Sequence, residues 1–109
     1  MAFYLIQISY KEDQVRALVA SPQDRSAEAK KLVESIGGKL HHFFFAFGDY
    51  DVVCIAEAPD NAAMAAGSMA VAAAGTTSAF KTTPLLTMDE AVAAMKKAGE
   101  VTGYKPPSG

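Results

Sequence analysis

Cysteine is nearly absent from this sequence, with Cys54 as the single one among 109 residues. One thiol excludes an intrachain disulfide and a zinc site built from several thiolates. Cys54 lies within the apolar run Val-Val-Cys-Ile-Ala, where a cysteine normally behaves as a small buried hydrophobe. The sequence therefore predicts a structural role in the core for Cys54 and not a reactive thiol.

Positive charge is not in excess, because 10 Lys and Arg residues stand against 12 Asp and Glu residues and the formal net charge is −2. The basic residues are scattered, apart from the pairs Lys30–Lys31 and Lys96–Lys97. A protein that binds nucleic acid without regard to sequence needs a basic face that displaces counterions from the phosphates. We therefore expect no nucleic-acid partner.

Long hydrophobic runs are missing as well. The apolar stretch at residues 62–75 is mostly Ala and is shorter than the ~20 residues of a membrane-spanning helix. The first ten residues have no basic lead and carry Gln7 and Ser9 in their apolar run, unlike a signal peptide. We expect no membrane partner and a cytoplasmic location.

Motifs that hold cofactors are also missing: the sequence has no Walker loop, dinucleotide fingerprint, serine elbow or EF-hand. His41 and His42 are the only histidines. Neighbours on a strand point to opposite faces, so these two cannot easily bind one ion from a single chain. We expect no cofactor and no metal site.

The segments that are present alternate between strand and helix patterns. Strand patterns occupy residues 2–9, 39–47, 50–58 and 76–87, and helical spacing occupies residues 11–20, 21–36, 61–74 and 88–99. Ser21 and Pro22 predict the start of the second helix, as N-cap and first-turn residue. The order predicts an α+β, ferredoxin-like βαββαβ domain over residues 2–98, with a four-stranded antiparallel sheet, helices on one face and a flexible tail at 99–109.

The segment HHFFFAFGDYDVVCIAEAP, residues 41–59, determines the expected register. Gly48 and Asp49 predict a two-residue turn of type II′, which takes Gly at its first central position. The turn places Phe47 opposite Tyr50, Phe45 opposite Val52, Phe43 opposite Cys54, Phe44 opposite Val53 and His42 opposite Ile55. His42 then shares a face with Phe44, and His41 shares the other face with Phe43. Helices cover one face, and we expect a second copy to cover the His42 face.

The segment Phe47-Gly48-Asp49-Tyr50-Asp51-Val52-Val53 resembles the GYD-domain family of small bacterial proteins of uncharacterised function. Gly37-Gly38-Lys39-Leu40, Glu57-Ala58-Pro59-Asp60, Arg16-Ala17-Leu18 and Ser21-Pro22 add to a resemblance that covers roughly residues 2–95. The resemblance implies a ferredoxin-like chain of the dimeric α/β-barrel type and no established activity. The consecutive aromatics and the His pair depart from the family's pattern.

Three functions remain open, and with them the question of whether the protein is an enzyme. The first is a homodimer or higher homo-oligomer that binds a small apolar or aromatic ligand in an inter-subunit cavity lined by Phe44, His42, Val53 and Ile55. The second resembles the cofactor-free monooxygenases of this architecture, with His42 as base and Tyr4 as proton donor. The third is a stand-alone sensor similar to the effector-binding domain of Lrp/AsnC regulators. In each of them, Gly48, Asp49, Tyr50 and Asp51 form a structural turn motif.

Overall fold

The computed structural model describes residues 1–108 and consists of four strands and four helices. The strands are β1 (Ala2–Tyr10), β2 (Lys39–Phe45), β3 (Val52–Ala58) and β4 (Thr77–Leu85), and the helices are α1 (Glu12–Ala20), α2 (Ser26–Ser35), α3 (Asn61–Ala73) and α4 (Met88–Glu100). The strands form one antiparallel sheet in the order β2-β3-β1-β4. This order confirms the predicted ferredoxin-like fold.

The core lies on one side of the sheet. Alternate residues of β1 and β3 are buried there, and Val33 of α2 and Met64 of α3 close the cluster: Tyr4, Ile6, Val33, Cys54, Ala56, Ala58 and Met64. The small side chains of β3 and of the Ala-rich α3 let the helix lie close to the strands. The side chains between these positions point to the other side of the sheet, because side chains alternate along a strand.

The second helix begins later than the sequence predicts. Ser21 ends α1, since its N–H donates to the Ala17 carbonyl at 2.9 Å. The Asp24 carboxylate accepts from the Ser26 N–H at 2.8 Å, and α2 starts only there. The prediction of a start at Ser21 was therefore wrong, because Asp24 forms a local turn that competes with helix formation over residues 21–25.

The connection between β2 and β3 is longer than the predicted turn. Strand β2 ends at Phe45 and β3 begins at Val52, and the Ala46 N–H donates to the Asp51 carbonyl at 2.6 Å across the base of this loop. Gly48 does not have the positive φ that a type II′ turn requires. The two-residue turn and the Phe47–Tyr50 pair were wrong predictions.

The register beyond this loop is nevertheless as predicted. The pairs Phe45–Val52, Phe44–Val53, Phe43–Cys54 and His42–Ile55 all form. The loop is wider because Asp51 also bonds to the neighbouring strand β1: its N–H donates to the Ile8 carbonyl at 2.8 Å, while its own carbonyl accepts from the Ala46 N–H. This bond draws the chain away from Phe47, which is fully exposed.

The last helix, α4, projects from the rest of the chain. A capping box starts it, in which the Glu90 N–H donates to Thr87 Oγ1 and the Thr87 N–H donates to Glu90 Oε1. The radius of gyration, 17.6 Å, exceeds the ~13 Å of a close-packed domain of this length. The predicted tail, 99–109, overlaps the end of α4, and its last residue, Gly109, lies outside the described residues. Across residues 1–108, each helix is too short or too polar to cross a lipid bilayer.

Backbone contact at the start of β2 requires a glycine. Gly38 lies against β3, where a methyl group on its Cα would overlap the Glu57 carbonyl oxygen and stand 3.0 Å from Val33 Cγ1. The Gly38 N–H also donates to the Val33 carbonyl at 2.9 Å, which joins the end of α2 to the sheet. Gly38 therefore sets the distance between α2 and the β2–β3 pair.

We predict that Gly38→Ala lowers the free energy of unfolding by about 1–3 kcal/mol, because the added methyl group displaces backbone atoms. Urea denaturation monitored by circular dichroism measures the change. Gly48→Ala is the matched control, since a methyl group there meets open space. Equal stability of the two variants would show that the close approach at Gly38 does not exist.

Candidate functional site

The side of the sheet without helices forms a partly exposed apolar surface. Val53 and Ile55 of β3 are only half-buried, although their neighbours Val52 and Cys54 are buried. Phe44 of β2 is 61% exposed. We call this surface the open face and define it by Phe3, Leu5, Lys39, His41, His42, Phe44, Val53, Ile55 and Glu57. An apolar surface of this kind is typical of a place where a partner or ligand binds.

A β-bulge places both histidines on the open face. The pairing of β2 with β3 steps from Leu40–Ala56 to His42–Ile55, so His41 is an extra residue in the strand. The His41 ring lies 5.6 Å from the ring of Phe3. The prediction that His41 shares the helix-covered face with Phe43 was wrong, because strict alternation does not hold across a bulge.

His41 and Glu57 form a polar pair near one end of the open face. His41 Nε2 lies 2.7 Å from Glu57 Oε2, and the two side chains are 28% and 19% exposed. A carboxylate at this distance fixes the orientation of the imidazole ring. Beside this pair, the His42 ring stacks on Phe44, with ring centroids 5.9 Å apart and an interplanar angle of 8°. The arrangement offers hydrogen-bonding groups within an aromatic surface.

The predicted ligand-binding residues come together, and the two predicted catalytic residues do not. Phe44, His42, Val53 and Ile55 are neighbours on β2 and β3 of the open face. Tyr4 points to the opposite face, is 1% exposed, and donates from its hydroxyl to Asn61 Oδ1 at 2.6 Å. The sheet separates His42 from Tyr4, so the two do not form a common site within this chain.

Comparison with known proteins identifies the family of this chain. A family model, the GYD domain, matches residues 4–95. The chain belongs to the GYD domain family. Among curated proteins, none matches this sequence.

A solved structure resembles this GYD domain in fold. The crystal structure of MtbAldR (Rv2779c) aligns with a TM-score of 0.51 and 14% sequence identity over 79% of this chain. The alignment covers 52% of the MtbAldR chain, so the GYD protein spans about half of the length of that neighbour. At this identity the similarity shows the fold alone.

The motif that gives the GYD family its name joins the β2–β3 loop to the end of β1. The Asp51 carboxylate accepts from the Tyr10 N–H at 2.8 Å, and Ser9 Oγ donates to the Asp49 carbonyl at 3.2 Å. Gly48 and Asp49 are exposed, and Tyr50 is half-buried. These contacts are those of a structural connection between loop and sheet.

Cys54 lies on the helix-covered side and is 5% exposed. Burial raises the pKa of its thiol to about 11, so the thiol is neutral at pH 7. The prediction of a structural cysteine in the core is confirmed.

Sequence reasoning missed two features of the molecule. One is the His41–Glu57 pair, which depends on a bulge that has no glycine to mark it. The other is a cavity of about 580 Å³ between α1, residues 22–26 and the strands, with Phe43, Phe45 and Val52 among its lining residues. Tyr10 and Arg25 border this cavity; burial raises the pKa of the Tyr10 hydroxyl, and the Arg25 charge opposes that rise.

We predict that Tyr4→Phe lowers the free energy of unfolding by about 0.5–1.5 kcal/mol, because the variant loses one hydrogen bond to Asn61 and keeps the buried ring. Chemical denaturation followed by circular dichroism measures the loss. The control is Tyr104→Phe, whose side chain is 75% exposed. A Tyr4→Phe protein as stable as wild type would contradict the structural role given to this hydroxyl.

Proposed function

We propose that this GYD protein is a homodimeric binding module that holds a small aromatic or apolar molecule between the open faces of two copies. The observation that carries the proposal is the composition of the open face, where half-buried Val53 and Ile55 and exposed Phe44 lie on the same side of the sheet as the His41–Glu57 pair. Two such faces form a cavity with apolar walls and a few polar groups. Small-molecule sites commonly have this composition.

A second copy is the expected cover for the open face. The helices α2 and α3 pack only on the opposite side of the sheet, against β2, β3 and β4. Closed two-fold dimers are the commonest soluble oligomers, and their interfaces join the same surface of each copy. The open face suits this arrangement because apolar side chains dominate its centre and Lys39 and Glu57 lie at one end of the β2–β3 pair.

Binding is better supported than catalysis at this face. The monooxygenase-like alternative needs His42 as base and Tyr4 as donor, and the Tyr4 hydroxyl is bonded to Asn61 on the other side of the sheet. The sensor alternative similar to the Lrp/AsnC effector domain also requires a bound ligand, so the binding experiment below applies to it as well.

The test is native mass spectrometry of the untagged protein purified from the organism that encodes it. We predict an added small-molecule mass in the wild type and its loss in Ile55→Lys, because a lysine at the centre of the open face introduces a charge into an apolar site. Ala27→Lys is the control, since this residue is exposed on α2 and the added charge is the same.

Two results would contradict the proposal. A wild type without any added mass would remove the support for a bound ligand. An added mass that Ile55→Lys retains would move the ligand away from the open face, and the cavity beside α1 would be its next candidate location.

A further inference from the structure

Helix α4 is amphipathic and leaves its apolar side uncovered. Met88 is 71% exposed, Met95 is 65% exposed and Val92 is 42% exposed. With Ala91 and Ala98 these residues form one continuous stripe along the helix, which we call the α4 stripe. Within residues 1–108, no side chain of α4 is buried.

A short helix with an uncovered apolar stripe needs another surface to pack against. Isolated helices shorter than ~12–15 residues are marginal in water, and most of their stability in proteins comes from packing of the apolar side. Helix α4 has 13 residues. Its capping box and the match of its end charges with the helix dipole support the helix but do not cover the stripe.

We infer that the partner of α4 is the α4 of a second copy, packed antiparallel across a two-fold axis near the middle of the helix. In this arrangement the start of one helix meets the end of the other. Met88 then lies beside Ala98 of the second copy, and Ala91 lies beside its Met95. Each long side chain meets a short one, and such a pattern fills the space between two helices without a gap.

The charges of α4 fit the same arrangement. Asp89 and Lys96 lie two turns apart on the same flank of the stripe, too far apart to pair within one helix. The two-fold axis brings Asp89 of each copy beside Lys96 of the other, so that two ion pairs border the interface. Glu90 is already bonded to the Thr87 N–H, and Lys97 lies on the side of the helix away from the stripe.

A parallel pairing of two α4 helices would lack this match. Parallel copies would place Met88 beside Met88 and would put the Asp89–Lys96 flanks of the two helices on opposite edges of the interface, where neither ion pair forms. Antiparallel self-pairing is the arrangement in which both the side-chain sizes and the charges of α4 are complementary. This inference does not rest on the ligand proposed for the open face.

The experiment uses two full-length variants, each with the charge reversed at one member of the proposed Asp89–Lys96 ion pair. The Asp89→Lys variant has lysine at positions 89 and 96, and the Lys96→Glu variant has an acidic residue at both. In a dimer of either variant alone, like charges therefore face each other across the interface. We predict that each variant alone self-associates roughly tenfold more weakly than the wild type at low salt. An equimolar mixture restores both ion pairs.

Native mass spectrometry of the mixture, with one variant labelled with nitrogen-15, measures the fraction of mixed dimers. We predict that mixed dimers make up about nine-tenths of all dimers, as follows from a tenfold penalty on each self-pair. The matched control replaces Lys96→Glu with Lys97→Glu, which changes the same charge one residue further on. With that control, mixed dimers should not exceed the level given by Asp89→Lys and the wild type.

Two results would overturn the inference. Mixed dimers at the statistical level of one half would mean that α4 does not pair with α4, even when the open faces hold the copies together. A wild type that stays monomeric at the concentrations of the experiment would also exclude the pairing.

Discussion

The sheet of this protein has two apolar sides, but helices cover only one of them. The remaining features of the molecule depend on the side that stays uncovered. On the helix-covered side, Tyr4 and Ile6 of β1 are buried together with the small residues of β3. The other side retains Val53, Ile55 and Phe44 in partial contact with water. Burial of apolar surface is the main favourable term in folding and association, so a second copy on the open face would lower the free energy further.

The open face combines two properties that rarely occur together on a solvated surface. Its apolar side chains favour association, and the bulge at His41 adds a hydrogen-bonded polar pair near one end. A bulge re-aims a side chain without changing the register of the rest of the strand. In this way the protein places a histidine and a carboxylate on one face while the four pairs from His42 to Phe45 keep their alternation.

Helix α4 has an uncovered apolar surface as well. The sheet leaves one uncovered surface and α4 leaves another, and both surfaces have the composition of an interface between identical copies. The two differ in what determines their specificity. In the proposed dimer the open face would contribute apolar area, whereas the opposite charges of Asp89 and Lys96 would set the direction of the α4 pair.

The sequence predicted the fold and most of the register, because alternation of apolar residues and the positions of Gly and Pro determine both. Three features were not predictable in this way. The loop at residues 46–51 depends on hydrogen bonds from Asp51 to β1, some forty residues earlier. The start of α2 depends on the competition between Ser21 as an N-cap and the local turn that Asp24 forms with Ser26. The position of His41 depends on a bulge that no residue type marks.

We propose that the open faces of two copies lie against each other. Isotope-filtered NMR on an equimolar mixture of labelled and unlabelled protein detects such contacts directly. We predict intermolecular contacts from the methyl groups of Val53 and Ile55 in one copy to the Phe44 ring in the other. A spectrum without these contacts, or one whose only intermolecular contacts involve α4, would contradict it.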